Sequence, residues 1–77
     1  MERSKVYFTN MRATPKMNLL QKLERLVKKA GIEQIDFNGK YAAIKIHFGE
    51  PGNLAFLRPN YSKVIADVIK NLGGKVF

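Results

Sequence analysis

The apolar positions of this chain switch between two periods. Over Lys5–Thr9 they alternate: Val6 and Phe8 point one way, and Lys5, Tyr7 and Thr9 the other. That is the pattern of a strand. Further on the spacing lengthens. Leu19, Leu20, Leu23, Leu26, Val27 and Ala30 share one face of a helix of about 3.6 residues per turn, with Lys22, Arg25, Lys28 and Lys29 opposite. Thr14-Pro15 offers a start, because threonine caps free amides and proline fits the first helical position. The helix is therefore predicted over Thr14–Ala30. Lysines in its last turn suit the negative end of the dipole. Gly31, followed by Ile32, supplies a left-handed stop.

Asp36–Lys40 (DFNGK) holds an Asn-Gly turn signal and reads as a connection. Alternation returns over Tyr41–Phe48: Ala42, Ile44, Ile46 and Phe48 share one face, and Tyr41, Ala43, Lys45 and His47 the other. Gly49–Arg58 reads as loop. A second helical stripe follows, with Tyr61, Val64, Ile65, Val68, Ile69 and Leu72 on one face. Proline is costly deep inside a helix, so this helix, Asn60–Leu72, begins at the Arg58-Pro59 step and ends at Gly73-Gly74. Lys75-Val76-Phe77 reads as the opening of a third strand.

Strand, helix, strand, helix, strand is the order of an α/β fold with a small parallel sheet joined by helical crossovers. A strand covered on both faces is apolar on both, yet Lys45 and His47 share the minor face of the second strand. Strand order 1-2-3, with both helices on one side, leaves that face open. Order 2-1-3 places the second strand at an edge instead. Either way an open face or edge must meet the remainder of the chain, a second copy or water. A domain rarely stops three residues into a strand. Residues 1–77 are thus expected to be one α/β domain or the amino-terminal fragment of a longer one.

Charge and cysteine usage narrow the classes. The chain has 77 residues, a formal net charge of +8 and no cysteine. A domain of this size buries only about 60% of its unfolded surface, so it is marginal alone. Apolar residues make up 45%, which excludes a disordered class. No disulfide framework or thiolate metal site exists, and one histidine makes no zinc site. The apolar runs are short and the start is not signal-like, which suits a cytoplasmic chain with no membrane partner. The positive charge attracts polyanions. The basic residues Lys22, Arg25, Lys28 and Lys29 are not interleaved with aromatic ones, so a stacking platform for nucleic acid is not expected. Weak polyanion binding is.

The candidate site is the loop that ends the second strand. In open parallel sheets, ligands sit beyond the carboxyl ends of strands. His47, Gly49, Glu50, Gly52, Asn53 and Arg58 fall there. Gly49 and Gly52 permit left-handed backbone and close approach of a ligand. Glu50 can accept a proton or bind a cation, and His47 can donate, accept or ligate. Asn53 adds a neutral donor and acceptor. Arg58, at a helix start, can clamp a phosphate or carboxylate. Each also has a plain structural reading, because glycine and proline are ordinary in strand-to-helix loops. The loop carries neither the Walker pattern nor G-x-G-x-x-G. No Ser/His/Asp or Cys/His set can be assembled, so no catalytic residue is assigned.

The runs KVYFTNMR, NLLQKLERLVKKAG, YAAIKIHFGEPGN and RPNYSKVIADVIKNLGGKVF span nearly the whole chain. Together they resemble the amino-terminal part of a family of uncharacterised iron–sulfur-centre proteins, a domain of unknown function. AIKIHFGEPGN, followed by Leu57-Arg58-Pro59, is the most specific part of the likeness. Longer members carry ferredoxin-type cysteine clusters further along. The resemblance implies a longer parent that holds an iron–sulfur cluster elsewhere, and assigns no cofactor ligand or reaction to these residues. Three functions stay open: the α/β piece of such a protein with a ligand loop at 47–58, a basic nucleic-acid-binding module, or a purely structural docking piece.

Overall fold

A computed structural model of the chain describes residues 3–77; Met1 and Glu2, in the polar start, lie outside the described residues. The fold is α/β, with two helices and a two-stranded parallel sheet among the described residues. In chain order these are α1 (Leu19–Ala30), a 3₁₀ turn (Ile32–Gln34), β1 (Tyr41–Ala42), α2 (Pro59–Asn71) and β2 (Lys75–Val76).

α1 starts at Leu19, not at Thr14. Asn18 and Gln21 form a reciprocal capping box, each side-chain oxygen accepting the other's backbone N–H at 2.8 Å. That box satisfies two free amides at once. Thr14-Pro15 builds a separate turn ahead of it. There Thr14 N–H donates to the Met17 carbonyl at 2.9 Å, and Met17 N–H donates back to the Thr14 carbonyl at 3.1 Å. Met17 N–H also reaches Thr14 Oγ1 at 3.1 Å. Proline is as well suited to the second position of a turn as to a first helical position, and here the box decides between them.

Both helix ends follow their glycines. Gly31 takes φ 102° after α1. After α2, Gly73 takes φ 88°. Its N–H donates to the Lys70 carbonyl at 3.0 Å, and Gly74 N–H donates to the Ile69 carbonyl at 3.0 Å. This pair of bonds satisfies carbonyls that the helix itself leaves open. Pro59 stands at the first position of α2, with Arg58 as the capping residue. The helices pack on each other; among the described residues Val68 and Ile69 of α2 are the buried ones, 3% and 5% exposed.

β1 and β2 pair in parallel, Tyr41 beside Lys75 and Ala42 beside Val76. Lys75 N–H donates to Lys40 O at 2.8 Å, Phe77 N–H to Ala42 O at 3.1 Å, and Ile44 N–H to Phe77 O at 2.9 Å. The second and third strands of the sequence pattern are therefore neighbours, as order 1-2-3 requires and order 2-1-3 forbids.

Two strand expectations need correction. The strand expected over Tyr41–Phe48 is laddered only as far as Ile44, and Lys45–Phe48 has no partner among the described residues. Lys5–Thr9 forms no strand and does not lie in a ladder beside β1. Alternation tells which side a residue faces; a strand also needs another backbone to take its N–H and C=O groups. The alternation survives without that partner. Ala42, Ile44 and Ile46 are half-buried, while Tyr41, Ala43, Lys45 and His47 are exposed. Phe48 breaks the expected face and is exposed.

Lys22 is the other departure. It belongs to the basic stripe of α1, yet its ammonium is bound to the preceding segment. Nζ donates to Asn10 O at 3.0 Å, Asn10 Oδ1 at 2.5 Å and Arg12 O at 2.7 Å. A compact ammonium with three donors fits three converging oxygens. Lys22 thus pins residues 10–12 to α1.

Little of the apolar surface is covered. The chain exposes 6906 Å², about 2,100 Å² more than the roughly 4,800 Å² of a compact 8.8 kDa monomer. Its radius of gyration is 14.4 Å, against about 11.5 Å for a packed domain of this length. Val6, Phe8, Met11, Phe48, Leu54 and Phe77 are among the large apolar side chains facing water.

Candidate functional site

The loop after β1 is built from three local turns. Gly49 N–H donates to His47 Nδ1 at 2.9 Å. Nδ1 is then the acceptor, so this bond assigns the neutral ring's proton to Nε2. Gly49 takes φ 99°, and the Phe56 ring lies against it: a Cβ here would stand 2.8 Å from Phe56 Cε1. Next, Asn53 N–H donates to Glu50 O at 2.9 Å, closing a turn over Pro51-Gly52. Gly52 has φ 83°; a proline followed by a left-handed glycine is what a type II turn requires. Last, Asn53 Oδ1 accepts the Ala55 N–H at 2.9 Å, a side chain mimicking a backbone turn.

The six predicted residues therefore divide. His47, Gly49, Gly52 and Asn53 shape the loop itself. The Glu50 and Arg58 side chains are exposed and bond to no described residue. Arg58 caps α2 through its backbone position alone, with no side-chain capping bond. A free carboxylate and a free guanidinium on one loop can take a cation and an anion respectively. The glycine geometry was legible from sequence. The inward use of His47 Nδ1 was not, because a ring nitrogen capping an amide two residues on leaves no mark in spacing.

A groove of about 340 Å³ lies between the β1 extension and α2. Ile44, Ile46, Ala66 and Phe77 form its apolar wall and Lys63 and Lys70 its basic rim; none of the six loop residues lines it. Lys63 is paired with Asp67 at 2.7 Å. That contact holds the Asp67 carboxyl below the usual carboxylate range. Asp36 is lowered likewise, first by the Asn38 N–H it accepts and then by Lys40.

A second cleft, about 220 Å³, brings Phe8 and Thr9 beside Arg25 and Lys29 of α1. Sequence spacing hid this juxtaposition, because Phe8 precedes the helix and reaches it only through the Lys22 clamp on residues 10–12. Of the basic stripe, Lys22 is tied down and Lys28 pairs with Glu24 at 3.0 Å. Arg25 and Lys29 are the ones left for an anion.

Ferredoxin-type clusters are held by cysteine thiolates, and this chain has none, so its residues do not fit an iron–sulfur cluster. Among the described residues no three His, Cys, Asp or Glu side chains gather as a metal site. Among the described residues no helix is long and apolar enough to cross a membrane. Comparison with protein-family models, with curated proteins and with solved structures found no match.

Proposed function

We propose that the chain is the amino-terminal α/β piece of a cytoplasmic iron–sulfur-centre-type protein. In that parent it presents loop 47–58 to a ligand, is completed by further polypeptide, and leaves cluster binding to cysteines outside these residues. The observation that carries this reading is the uncovered surface. Only Val68 and Ile69 are buried among the described residues, which is little apolar burial to set against the entropy of ordering a chain of this length. The family resemblance supplies the iron–sulfur context. The unpaired charges of Glu50 and Arg58 supply the loop's chemistry.

The test uses the full-length protein. Iron and acid-labile sulfide are expected in it; their absence removes the iron–sulfur context. Glu50→Gln is expected to weaken Mg²⁺ binding, and Arg58→Lys phosphate binding, each about tenfold, the scale of one charge-assisted hydrogen bond. Lysine keeps the charge of Arg58 and loses its two-pronged contact. Unchanged binding of both ions by both variants would reduce the loop to a connection.

The cleft at Phe8, Arg25 and Lys29 favours a second, weaker activity, non-specific contact with a polyanion. Two phosphate contacts give a slope of log affinity against log salt of about −1.8 on duplex DNA. Arg25→Gln with Lys29→Gln is expected to flatten that slope. A slope several times steeper, or a dissociation constant below roughly 10⁻⁸ M for one sequence at physiological salt, would instead mark a dedicated nucleic-acid module.

A further inference from the structure

The turn that leads into β1 holds a labile pair of residues. Of Asn10, Asn18, Asn38, Asn53, Asn60 and Asn71, Asn38 alone precedes a glycine. Asparagine is thermolabile because the nitrogen of the following residue can attack its Cγ, and glycine, with no Cβ, hinders that attack least. Asn38 and Gly39 are both exposed. Lys40 N–H donates to Phe37 O at 2.9 Å, Gly39 takes φ 70°, and Asn38 has negative φ. Those are the features of a type II turn with Asn38 and Gly39 at its centre. The strands β1 and β2 both start here and run away from this place.

The fold ties this turn down. Gly39 N–H donates to Gly73 O at 3.0 Å. The Asn38 side chain lies on the same glycine: a Cβ at Gly73 would stand 2.7 Å from Asn38 Oδ1 and 3.3 Å from Asn38 Cα. Asn38 N–H donates to Asp36 Oδ1 at 3.1 Å. Phe37 lies against Gly74, where a Cβ would stand 3.2 Å from Phe37 Cβ. Attack requires the Gly39 nitrogen to lose its proton and swing over to Asn38 Cγ. A nitrogen whose proton is held by a carbonyl does neither. The reaction therefore starts from a locally opened state, in which turn 37–40 has lifted off the connection between α2 and β2.

We propose that Asn38 is a self-modification site, gated by the docking of turn 37–40 on Gly73-Gly74. In the lifted turn, hydroxide takes the Gly39 proton and the nitrogen attacks Asn38 Cγ. A bond forms between them, the Cγ–Nδ2 bond breaks, and Nδ2 leaves as ammonia with a proton from water. Water then opens the resulting ring at either carbonyl, which gives aspartate or isoaspartate. In sum, water is taken up and ammonia released. Both products bring a second carboxylate next to Asp36, whose Oδ1 holds the Asn38 N–H, and like charges repel. Isoaspartate also lengthens the main chain by a methylene just ahead of β1. The bonds from Gly39 N–H to Gly73 O and from Lys75 N–H to Lys40 O then fall out of register. The lifted turn is trapped by a one-way step that consumes only water.

Peptide mapping of the full chain, aged at mildly alkaline pH with and without urea, tests the proposal. In urea the Asn38 peptide should exchange NH for O faster than the peptide of any other asparagine, and split into two products of equal mass. Without urea it should react at least about tenfold more slowly, which corresponds to an opening cost of about 1.4 kcal/mol or more. Gly74→Ala crowds Phe37 and should narrow that ratio severalfold. Gly52→Ala strains the other loop, at φ 83°, and should leave the ratio unchanged. Circular dichroism checks that the helices remain; should Gly74→Ala lose them, Asp36→Ala, which removes the acceptor of the Asn38 N–H at an exposed position, serves as the loosened turn. In the aged chain the amides of Gly39 and Lys75 should exchange faster than in the fresh one. Equal rates with and without urea, an Asn38 no faster in urea than the other asparagines, equal effects of the two loop changes, or unaltered exchange after ageing overturns the proposal.

Discussion

Ile69→Ala is expected to cost about 2–5 kcal/mol, the range for truncating a buried isoleucine. A chain of 77 residues has roughly 4–12 kcal/mol of stability in total, so this one change removes a large part of it. Ile69 has that weight because it belongs to both the helix pair and the sheet. Its side chain is one of the two buried among the described residues, and its carbonyl accepts the Gly74 N–H that turns the chain out of α2 into β2. Gly74→Ala is expected to cost about 1–3 kcal/mol by overpacking. A Cβ there would stand 2.6 Å from Ile69 Cγ2, 3.2 Å from Ile69 O and 3.2 Å from Phe37 Cβ. The two changes share one methyl group, so their effects should not add. In the Ile69→Ala background the Cγ2 is gone, and Gly74→Ala should cost less. Ile69→Val keeps Cγ2 and should give no relief. Denaturant unfolding of the double-mutant set measures this; full additivity would mean that β2 does not sit on Ile69 as the structure has it.

The helices were the legible part of this fold. A stripe such as Tyr61, Val64, Ile65, Val68, Ile69 and Leu72 is a statement about one helix, whose backbone bonds are internal. The stops at Gly31 and Gly73 are equally local. Only the start of α1 was misplaced, and Asn18-x-x-Gln21 carried the signal for its true position. The strands depend on residues far away in sequence. Lys5–Thr9 and Tyr41–Phe48 alternate equally well, yet only Tyr41–Ala42 pairs as a strand, because Lys75–Val76 reaches it. Period two gives the facing of side chains, and facing is what survived at Ala42, Ile44 and Ile46. The loop divides in the same way. Gly52 over a Pro-Gly turn is readable from two letters, whereas the packing of Phe56 on Gly49 is not.

That difference between the glycines is measurable. Gly49→Ala and Gly52→Ala both place a side chain at left-handed φ, 99° and 83°, which costs about 1–2 kcal/mol for an L-residue. At Gly52 that is the whole effect, since nothing lies within 4 Å of the new Cβ. At Gly49 the methyl would also meet the Phe56 ring at 2.8 Å, and the ring must swing out and lose its packing. Gly49→Ala is thus expected to cost about 1 kcal/mol more than Gly52→Ala, a modest overpacking term. Phe56→Ala should narrow the gap by sparing Gly49→Ala the clash, and leave the cost of Gly52→Ala unchanged. Thermal or denaturant unfolding of the three single variants and the two doubles with Phe56→Ala decides it. Equal costs at the two glycines would show that Phe56 does not brace the loop. With the gap present, Phe56 and the His47 bond fix the loop's first turn, and Glu50 extends from a braced support. A carboxylate held there binds with less ordering cost than one on a free strand end. Phe56→Ala in the full-length protein should then weaken Mg²⁺ binding in the same direction as Glu50→Gln, without touching the charge.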